Sequence, residues 1–207
     1  MTGRSTVVIA TRSRGKLWEL RPLFADAGIE AIDLDEAGIK ENPAVEDGLE
    51  RYDTFEENAG AKARHFAGLS GLPTVSDDSG LEVRALGGLP GVRSKRWAGR
   101  ADLEGRALDE VNNAKLLEQM RGVADRRARY VCVAALVNDG PERLARGEVG
   151  GVILEQPRGG EGFGYDPLFE VEGLGLTFAE LDRAEKSRLS HRGQAFAALI
   201  RTLVGPS

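Results

Sequence analysis

Cysteine is almost absent from this sequence: among 207 residues there is one, Cys132. One cysteine excludes an intramolecular disulfide and any metal cluster built from cysteines. Cys132 lies within the apolar run from Tyr130 to Val137. Because free cysteine is among the most buried residue types, we interpret Cys132 as a core residue rather than a nucleophile.

An excess of positive charge is also lacking, since 28 Lys and Arg residues face 33 Asp and Glu residues, for a net charge of −5. This balance argues against a broad nucleic-acid-binding surface, although it leaves room for a local basic pocket that binds a small anion. The apolar residues near the N-terminus, Val7 to Ala10, are too few for a signal peptide or a membrane span. We therefore expect a cytoplasmic protein with no nucleic-acid partner and no membrane partner.

The remaining composition, 41% hydrophobic and 29% charged, is typical of a globular protein. A chain of this length suits one domain or two closely packed lobes. The apolar run 130–137 predicts a central strand covered on both faces. A returning strand pair from Arg143 to Leu154, broken at Gly150-Gly151, is predicted to follow. The segment from Asp109 to Met120 predicts a helix that serves as core scaffold.

The N-terminal segment predicts a strand, a basic loop and a helix. The β-branched run from Thr6 to Ala10 precedes Thr11-Arg12-Ser13-Arg14-Gly15-Lys16. An amphipathic segment follows, and Pro22 predicts that its helix starts late or bends. A loop at a helix N-terminus offers backbone N–H groups to phosphate, and three cations add positive charge here. The alternative is an ordinary basic surface loop, and the glycine and lysine pattern of a P-loop is absent.

Two adjacent acids, Asp77 and Asp78, stand between an apolar approach and Gly80. We predict that a strand ends near Val75 and that Gly80 allows a turn, which leaves both acids at a strand end. Neighbouring side chains in extended backbone point to opposite faces, so different roles are predicted for the two acids. Near a polyanion, such a carboxylate can bind a hard cation or take a proton from water. The alternative is a solvated turn, for which Asp-Asp-Ser-Gly is well suited.

A capping-box pattern at Thr54 predicts a helix that runs to about Leu69. Lys62 lies beside the apolar stripe of this helix, where its stem can cover apolar surface while its ammonium reaches a pocket. The preceding residues, 31–53, predict loops around at most a short strand. Within them, Glu46-Asp47-Gly48 is the part that could reach a cation.

The segment from Gly159 to Pro167 combines four glycines with two aromatic residues and Asp166. Glycines let the backbone approach a flat ligand, an exposed aromatic ring offers a stacking face, and Asp166 offers hydrogen bonds. The alternative is a mobile surface loop. A second capping-box pattern, Thr177 to Glu180, predicts a short helix toward Lys186.

Ser190 is predicted to open the last helix and to place His191 and Arg192 in its first turn. Cations in that position oppose the helix dipole, which makes sense if they bind an anion or a polar ligand. For His191 alone, a surface position is the alternative.

Taken together, these motifs resemble the inosine triphosphatase family over almost the whole chain. The family consists of pyrophosphatases that remove non-standard purine nucleoside triphosphates such as ITP, dITP and XTP. The resemblance is carried by residues 10–16, 54–59 with 62–63, 76–81, 88–92, 162–167, and 185–187 through 190–193. It implies one α/β domain over residues 1–207, with a long twisted mixed sheet flanked by helices in two lobes and a central nucleotide cleft. It also implies a homodimer.

The resemblance further implies Mg²⁺-dependent hydrolysis between the α- and β-phosphates, which yields a nucleoside monophosphate and pyrophosphate. Asp78 would be the catalytic carboxylate and a metal ligand, with Glu46 as a second metal ligand. Lys16, Lys62 and the backbone of residues 11–16 would hold the phosphates. The remaining nucleotide contacts would come from Ser79, Phe163, Gly164, Tyr165, Asp166, Lys186, His191 and Arg192.

Two departures from the family pattern stand out. The first loop usually reads Thr-Gly-Asn-x-x-Lys, whereas Arg12 and Ser13 occupy the Gly and Asn positions here. The chain is also longer between residues 48 and 54, which leaves Asp47 and Glu50 open as alternatives to Glu46. Two other functions stay open: a pyrophosphatase of similar fold for dTTP, UTP or modified nucleotides, and a nucleotide-binding regulator without turnover.

Overall fold

A six-stranded sheet organises the chain, with strand order β2-β1-β3-β4-β5-β6. The computed structural model describes residues 6–204, with the backbone alone at Val204. The strands are β1 (Thr6–Ile9), β2 (Glu30–Ile32), β3 (Thr74–Val83), β4 (Arg127–Val137), β5 (Arg143–Ile153) and β6 (Phe169–Val171). The helices are α1 (Arg14–Asp26), α2 (Pro43–Glu46), α3 (Phe55–Ser70), α4 (Gly105–Gln119), α5 (Arg183–Leu189) and α6 (His191–Val204).

The sheet is mixed, as predicted. Strand β1 pairs in parallel with both β2 and β3, whereas β5 and β6 are antiparallel. The α/β class is therefore confirmed, and so is the central position of the apolar strand β4. In the part of the chain that the structure describes, no helix is long and apolar enough to cross a membrane.

The chain divides into two compact units. The first comprises the described residues up to 78, residues 132–147 and the described residues from 192 onward, and the second comprises residues 79–131 and 148–191. The boundaries fall inside β3, β4 and β5, so each of these strands contributes to both units. A single domain and a central nucleotide cleft stay predictions.

Alternation along β1 builds the core of the first unit. Val7 and Ile9 pack in a cluster with Phe24 of α1 and Phe196 of α6, whose rings meet edge to face at 6.0 Å. Val8 belongs instead to a cluster with Ala10, Leu34 and Phe66. Because successive strand side chains point to opposite faces, this division shows that both faces of β1 are covered.

An aromatic group forms the centre of the second core. Tyr130 meets Phe169 at a centroid distance of 4.8 Å, and Phe169 stacks on Phe178 at 5.4 Å. Aliphatic residues of β3, α4 and β5, including Leu81, Leu116 and Ile153, pack around them. Each unit therefore has a hydrophobic core of its own.

Three predicted helix starts were wrong. Helix α1 begins at Arg14, well before Pro22, because the Ser13 hydroxyl caps it by accepting a hydrogen bond from the Lys16 N–H; a bend at Pro22, the other predicted outcome, stays a prediction. Helix α4 begins at Gly105 rather than Asp109. The pattern at Thr177 opens no helix, since α5 begins at Arg183 after a complete capping box formed by Asp182 and Glu185.

The predicted break at Gly150-Gly151 was also wrong, because β5 is continuous from Arg143 to Ile153. Gly151 serves close packing instead. A Cβ atom at this position would lie 2.3 Å from the Glu170 carbonyl oxygen and 2.6 Å from the Phe169 ring. Both distances are too short for van der Waals contact, and one of the neighbours is backbone that cannot rotate away.

We expect Gly151→Ala to lower the free energy of unfolding by about 1–3 kcal/mol, because the new methyl group overpacks the strand pair. Urea denaturation followed by circular dichroism measures this change. Gly68→Ala is the matched control: it lies in α3, where an added Cβ meets nothing within 4 Å, and alanine is the better helix former. Equal stability of the two variants would contradict the packing role of Gly151.

Candidate active site

Asp77 and Asp78 lie in the middle of β3, not at a strand end as predicted. Gly80 makes no turn, because the strand continues to Val83. A Cβ at Gly80 would lie 2.1 Å from the Gly91 carbonyl oxygen and 2.6 Å from the Ser94 hydroxyl. Gly80 therefore allows another segment to approach the strand, and the solvated-turn alternative is excluded, since Asp77 is 2% and Asp78 6% exposed.

Asp77 is held by positive charge. Its Oδ2 atom lies 3.0 Å from the Lys16 Nζ and accepts a hydrogen bond of 3.2 Å from the Arg192 Nε. Burial alone would raise the pKa of Asp77, but the charges of Lys16, Arg192 and Lys62 outweigh it and lower the pKa far below its usual range. Asp77 is therefore ionised and serves as the anionic centre of this group.

Asp78 points to different partners. Its Oδ2 atom accepts a 2.9 Å hydrogen bond from the Asn58 amide of α3. Burial and, secondarily, the negative charge of Glu50 raise the pKa of Asp78, although Lys62 and Lys16 oppose this shift. The two acids therefore have different surroundings: one is neutralised by cations, and the other is a buried carboxylate whose charged form is disfavoured. Their separate roles stay a prediction.

Lys62 of α3 links the backbone of β3 to Glu50. Its ammonium donates to the Asp77 carbonyl oxygen at 2.6 Å and to the Glu50 carboxylate at 2.5 Å. Burial would lower the pKa of Lys62, but the nearby carboxylates of Glu50, Asp78 and Asp77 raise it above its usual value. Lys62 is thus a buried cation, while the predicted contact of its ammonium with a ligand pocket stays a prediction. We use the name Asp77 cluster for Lys16, Lys62, Asp77, Asp78 and Arg192.

Arg12 and Glu46 pair with each other. The Arg12 guanidinium donates to both Glu46 carboxylate oxygens, at 3.2 and 3.0 Å, and also to Asp35 and to the Ile39 carbonyl oxygen. Burial opposes the shift, but hydrogen bonds from Arg12 and Asn42 lower the pKa of Glu46. The structure thus directs Arg12 toward residues 35–46, while its predicted substrate contact and the metal role of Glu46 stay predictions.

The rest of the first loop forms the start of α1. The Thr11 hydroxyl accepts from the Ser13 N–H, and Ser13 in turn caps the helix. Arg14 is exposed, whereas Gly15 and Lys16 are half-buried. The loop therefore holds Lys16 in the first turn of the helix, which is the arrangement that the phosphate-loop prediction requires.

A second group of predicted residues meets in the second unit. Lys186 and Asp166 form a buried ion pair of 2.6 Å, and the Lys186 ammonium lies 4.7 Å from the centroid of the Phe163 ring. Asp166 also accepts a hydrogen bond from the Phe163 N–H at 2.7 Å. A Cβ at Gly162 would lie 2.2 Å from the Asp166 carboxylate. We call residues 162–166 the Asp166 loop; this loop is built around an ion pair.

His191 and Arg192, at the start of α6, have separate surroundings. His191 is buried, which excludes the surface alternative, and its ring stacks on Tyr130 at 4.5 Å with an interplanar angle of 7°. Arg192 is also buried and donates to Glu19 at 2.5 Å as well as to Asp77. Two carboxylates thus compensate the charge of Arg192 at the helix N-terminus. Ser79, which follows Asp78 in β3, is half-buried.

Five residues that contact the predicted site residues or hold the Asp166 loop were not predicted from the sequence, namely Glu19, Asn58, Asp109, Asn113 and Tyr130. Glu19 offered a signal, because a charged residue beside Leu20 on the apolar stripe of α1 requires a buried partner. Asn58 followed the capping box directly and was assigned no role. Asp109 and Asn113 were assigned to a core scaffold, although a spacing of four places both on one face of α4.

The fold and the Asp77 cluster define an α/β protein with buried carboxylates and lysine ammonium groups suited to a polyanion and a cation. The sequence model of the Ham1 family matches residues 7–202, and the chain belongs to this family. It is 51% identical over 203 residues to a dITP/XTP pyrophosphatase of Burkholderia pseudomallei (strain K96243), covering 97% of this chain and 94% of that protein.

Further similarities agree with this assignment. A dITP/XTP pyrophosphatase of Frankia alni is 49% identical over 202 residues, covering 95% of this chain and 96% of that protein. The solved structure of a HAM1 protein from Coxiella burnetii superposes with a TM-score of 0.82 at 39% identity, covering 97% of this chain and 98% of that one. The similarity thus extends over nearly the full length of all three proteins.

We expect Asp77→Asn and Asp78→Asn to have opposite effects on stability at pH 7 without added metal or nucleotide. The lowered pKa of Asp77 means that its ionised form stabilises the fold above about pH 4 and that this contribution is lost as pH falls. Asp77→Asn should therefore cost about 3 kcal/mol, because it leaves buried cations uncompensated. Asp78→Asn should be neutral or slightly stabilising, because it removes a disfavoured charge.

Urea denaturation of the two variants and the parent protein provides the comparison. The variants differ by the same atoms and lie at adjacent positions, so each serves as the control for the other. An equal loss of stability in both would contradict the assignment of separate roles.

Proposed function

We propose that this protein hydrolyses non-standard purine nucleoside triphosphates, such as ITP, dITP and XTP, to the monophosphate and pyrophosphate. The observation that carries the proposal is Asp78, a buried carboxylate with a raised pKa beside the Lys62 and Lys16 charges. A carboxyl group in such surroundings is suited to take a proton from water near a polyanion. The names of the Burkholderia and Frankia relatives support the same reaction.

The triphosphate is assigned to the Asp77 cluster and the first loop. Lys16 stands in the first turn of α1, where the helix dipole and the backbone N–H groups of residues 11–16 favour an anion. Lys62 adds a second ammonium. These two cations stabilise the negative charge that develops as the bond between the α- and β-phosphates breaks.

Two carboxylates are proposed to hold Mg²⁺. Asp78 is one, since carboxylate oxygens are the ligands that this ion prefers. Glu46 is the predicted second ligand, yet both of its oxygens accept hydrogen bonds from Arg12. Of the alternatives left open by the sequence, Glu50 is supported better: it also pairs with a cation, Lys62, but its charge acts on Asp78, the other proposed ligand. When bound, the ion would add positive charge at the phosphate oxygens.

The charge balance of the first unit supports a requirement for a divalent cation. The buried and half-buried groups that contact one another around Asp77 include four carboxylates and three cations, namely Asp77, Asp78, Glu19, Glu50, Lys16, Lys62 and Arg192. A divalent ion held by these carboxylates would add positive charge where a triphosphate is proposed to bind.

The base is assigned to the Asp166 loop, with Phe163 as the stacking surface and Lys186 and Asp166 as polar neighbours. A 6-oxo purine presents an acceptor at O6 and a donor at N1, the reverse of adenine. A polar pocket built for the first pattern leaves its own groups unpaired with ATP, which can amount to ~10⁴-fold discrimination. His191, stacked on Tyr130, supports this pocket.

The same proposal includes a homodimer that works in the cytoplasm on a small-molecule nucleotide, with no nucleic-acid or membrane partner. Its support is the family resemblance and the acidic composition of the chain. Size-exclusion chromatography with light scattering measures the oligomeric state, and a monomer at micromolar concentration contradicts the homodimer.

A substrate panel tests the function. With Mg²⁺, we expect ITP, dITP and XTP to give pyrophosphate and monophosphate, and ATP to react at least 100-fold more slowly in kcat/KM, in keeping with polar discrimination. GTP has the same O6 and N1 pattern as ITP, so a slower reaction with GTP would require a pocket without room or a partner for its 2-amino group, and dTTP serves as the pyrimidine comparison. Release of pyrophosphate and of orthophosphate is measured separately. Preference for dTTP or UTP would favour the pyrimidine-directed alternative, and ITP binding without pyrophosphate release would favour the regulator.

We expect Asp78→Asn to lower kcat for ITP by at least about 10³-fold while the protein stays folded, because the amide neither accepts a proton from water nor carries charge for the metal. Glu57→Gln is a control for the loss of a carboxylate, because Glu57 is an exposed acid in the first turn of α3. Near-normal kcat in the Asp78 variant would refute its catalytic assignment.

A further inference from the structure

Helix α4 holds the Asp166 loop by one peptide group on each side of Gly164. The Gly164 N–H donates to the Asp109 carboxylate at 2.8 Å, and the Gly164 carbonyl oxygen accepts from the Asn113 amide at 2.9 Å. Asp109 and Asn113 are four residues apart, so both side chains leave the same face of the helix. The helix thus fixes both polar backbone groups of a single residue.

Gly164 has a backbone φ of 65°. In this left-handed region a glycine costs little, but it also brings the greatest freedom to leave the conformation. The residues on either side are the proposed stacking residue, Phe163, and Tyr165, whose hydroxyl donates to the Ser94 carbonyl oxygen at 2.9 Å. A rotation at Gly164 would move the Phe163 ring, so the two bonds from α4 set the position of the proposed base platform.

Asn113 contributes little to folding stability by this arrangement. Its amide nitrogen makes the bond to Gly164, but its Oδ1 atom is buried without a hydrogen-bond partner among the described residues. An unpaired buried oxygen costs at least as much as one neutral hydrogen bond contributes. An apolar side chain would serve stability equally well, so the amide requires another explanation.

The position of Asp109 is also unfavourable for an ionised carboxylate. Burial, together with the negative charges of Asp166 and Glu110, raises the pKa of Asp109, although the bond from Gly164 opposes the shift. A carboxylate half-buried close to another carboxylate is not placed there for stability alone. Asp109 and Asn113 are thus both placed at an energetic cost, and both hold the backbone of the same residue, Gly164.

We propose that Asp109 and Asn113 are positioning residues that fix the Asp166 loop for recognition of the purine base. This inference rests on the proposed function, since it concerns the same nucleotide. The two residues act through Gly164 on Phe163 and touch neither the phosphates nor the reacting atoms. Their loss therefore weakens recognition of the nucleoside part and leaves recognition of pyrophosphate intact.

The test compares four variants of the full-length protein: Asp109→Ala, Asp109→Asn, Asn113→Leu and Glu110→Gln. Asp109→Ala removes the acceptor, whereas Asp109→Asn keeps an oxygen that can accept from Gly164. Asn113→Leu removes the donor. Glu110→Gln is the matched control, because it neutralises an exposed acid at the next position of the same helix.

Three quantities are measured with Mg²⁺: KM and kcat for ITP, the inhibition constant of pyrophosphate, and the dissociation constant of IMP by calorimetry. We expect Asp109→Ala to raise KM for ITP and the dissociation constant of IMP about tenfold, in line with one lost charge-assisted hydrogen bond. Asn113→Leu should raise both several-fold with a melting temperature within about 3 °C of the parent. Asp109→Asn should recover most of the affinity, and Glu110→Gln should change nothing.

The outcomes separate the two claims. If the parent releases no pyrophosphate from ITP, the proposed function fails, and IMP binding alone then decides the inference. If Asp109→Ala and Asn113→Leu bind IMP as the parent does, the inference is overturned. The inference is also overturned if both variants weaken the binding of pyrophosphate as strongly as the binding of IMP. That result would indicate general damage rather than a displaced base platform.

Discussion

The ionised side chain of Asp77, with 1% of its surface exposed, is the constraint on which the first unit depends. A carboxylate buried so deeply is tolerated only with charge and hydrogen bonds around it. Lys16 of α1 and Arg192 of α6 provide both, and Arg192 is compensated in turn by Glu19. The ion pairs therefore connect two helices that lie far apart in the chain to the middle of β3, and they bring Lys16 to a fixed place.

The alternation of β3 then gives Asp78 surroundings of the opposite kind. Asp77 takes the cations of α1 and α6, while Asp78 meets the Asn58 amide of α3 and experiences the charge of Glu50. A group that must bind a metal or accept a proton needs negative charge that is not already neutralised by a direct ion pair. Asp77 satisfies the structural demand for compensation, and this leaves the neighbouring carboxylate available for chemistry.

The sequence predicted the elements that depend on local patterns, including β1, the capped helix α3 and the apolar strand β4, and it placed the two acids on opposite faces. The predictions failed at two glycines, because a glycine can mark either a turn or a place of close packing. Gly80 and Gly151 suggested a turn and a break, but both lie within strands, where the close approach of Gly91 and Phe169 leaves no room for a Cβ. Only tertiary structure distinguishes these uses. The pairing of Arg12 with Glu46, 34 positions away, could not be predicted either. No local pattern links an arginine to one of several acids in a polar segment.

The hydrogen bonds and ion pairs described above join each cluster to elements of its own unit. The partners of Asp77 come from α1, α3 and α6, whereas Asp166 pairs with Lys186 and the loop around it is held by α4. Each cluster is thus held by its own set of bonds. Under the proposed function, the Asp77 cluster serves the phosphates and the Asp166 loop serves the base, so the two roles are positioned by different elements of the chain.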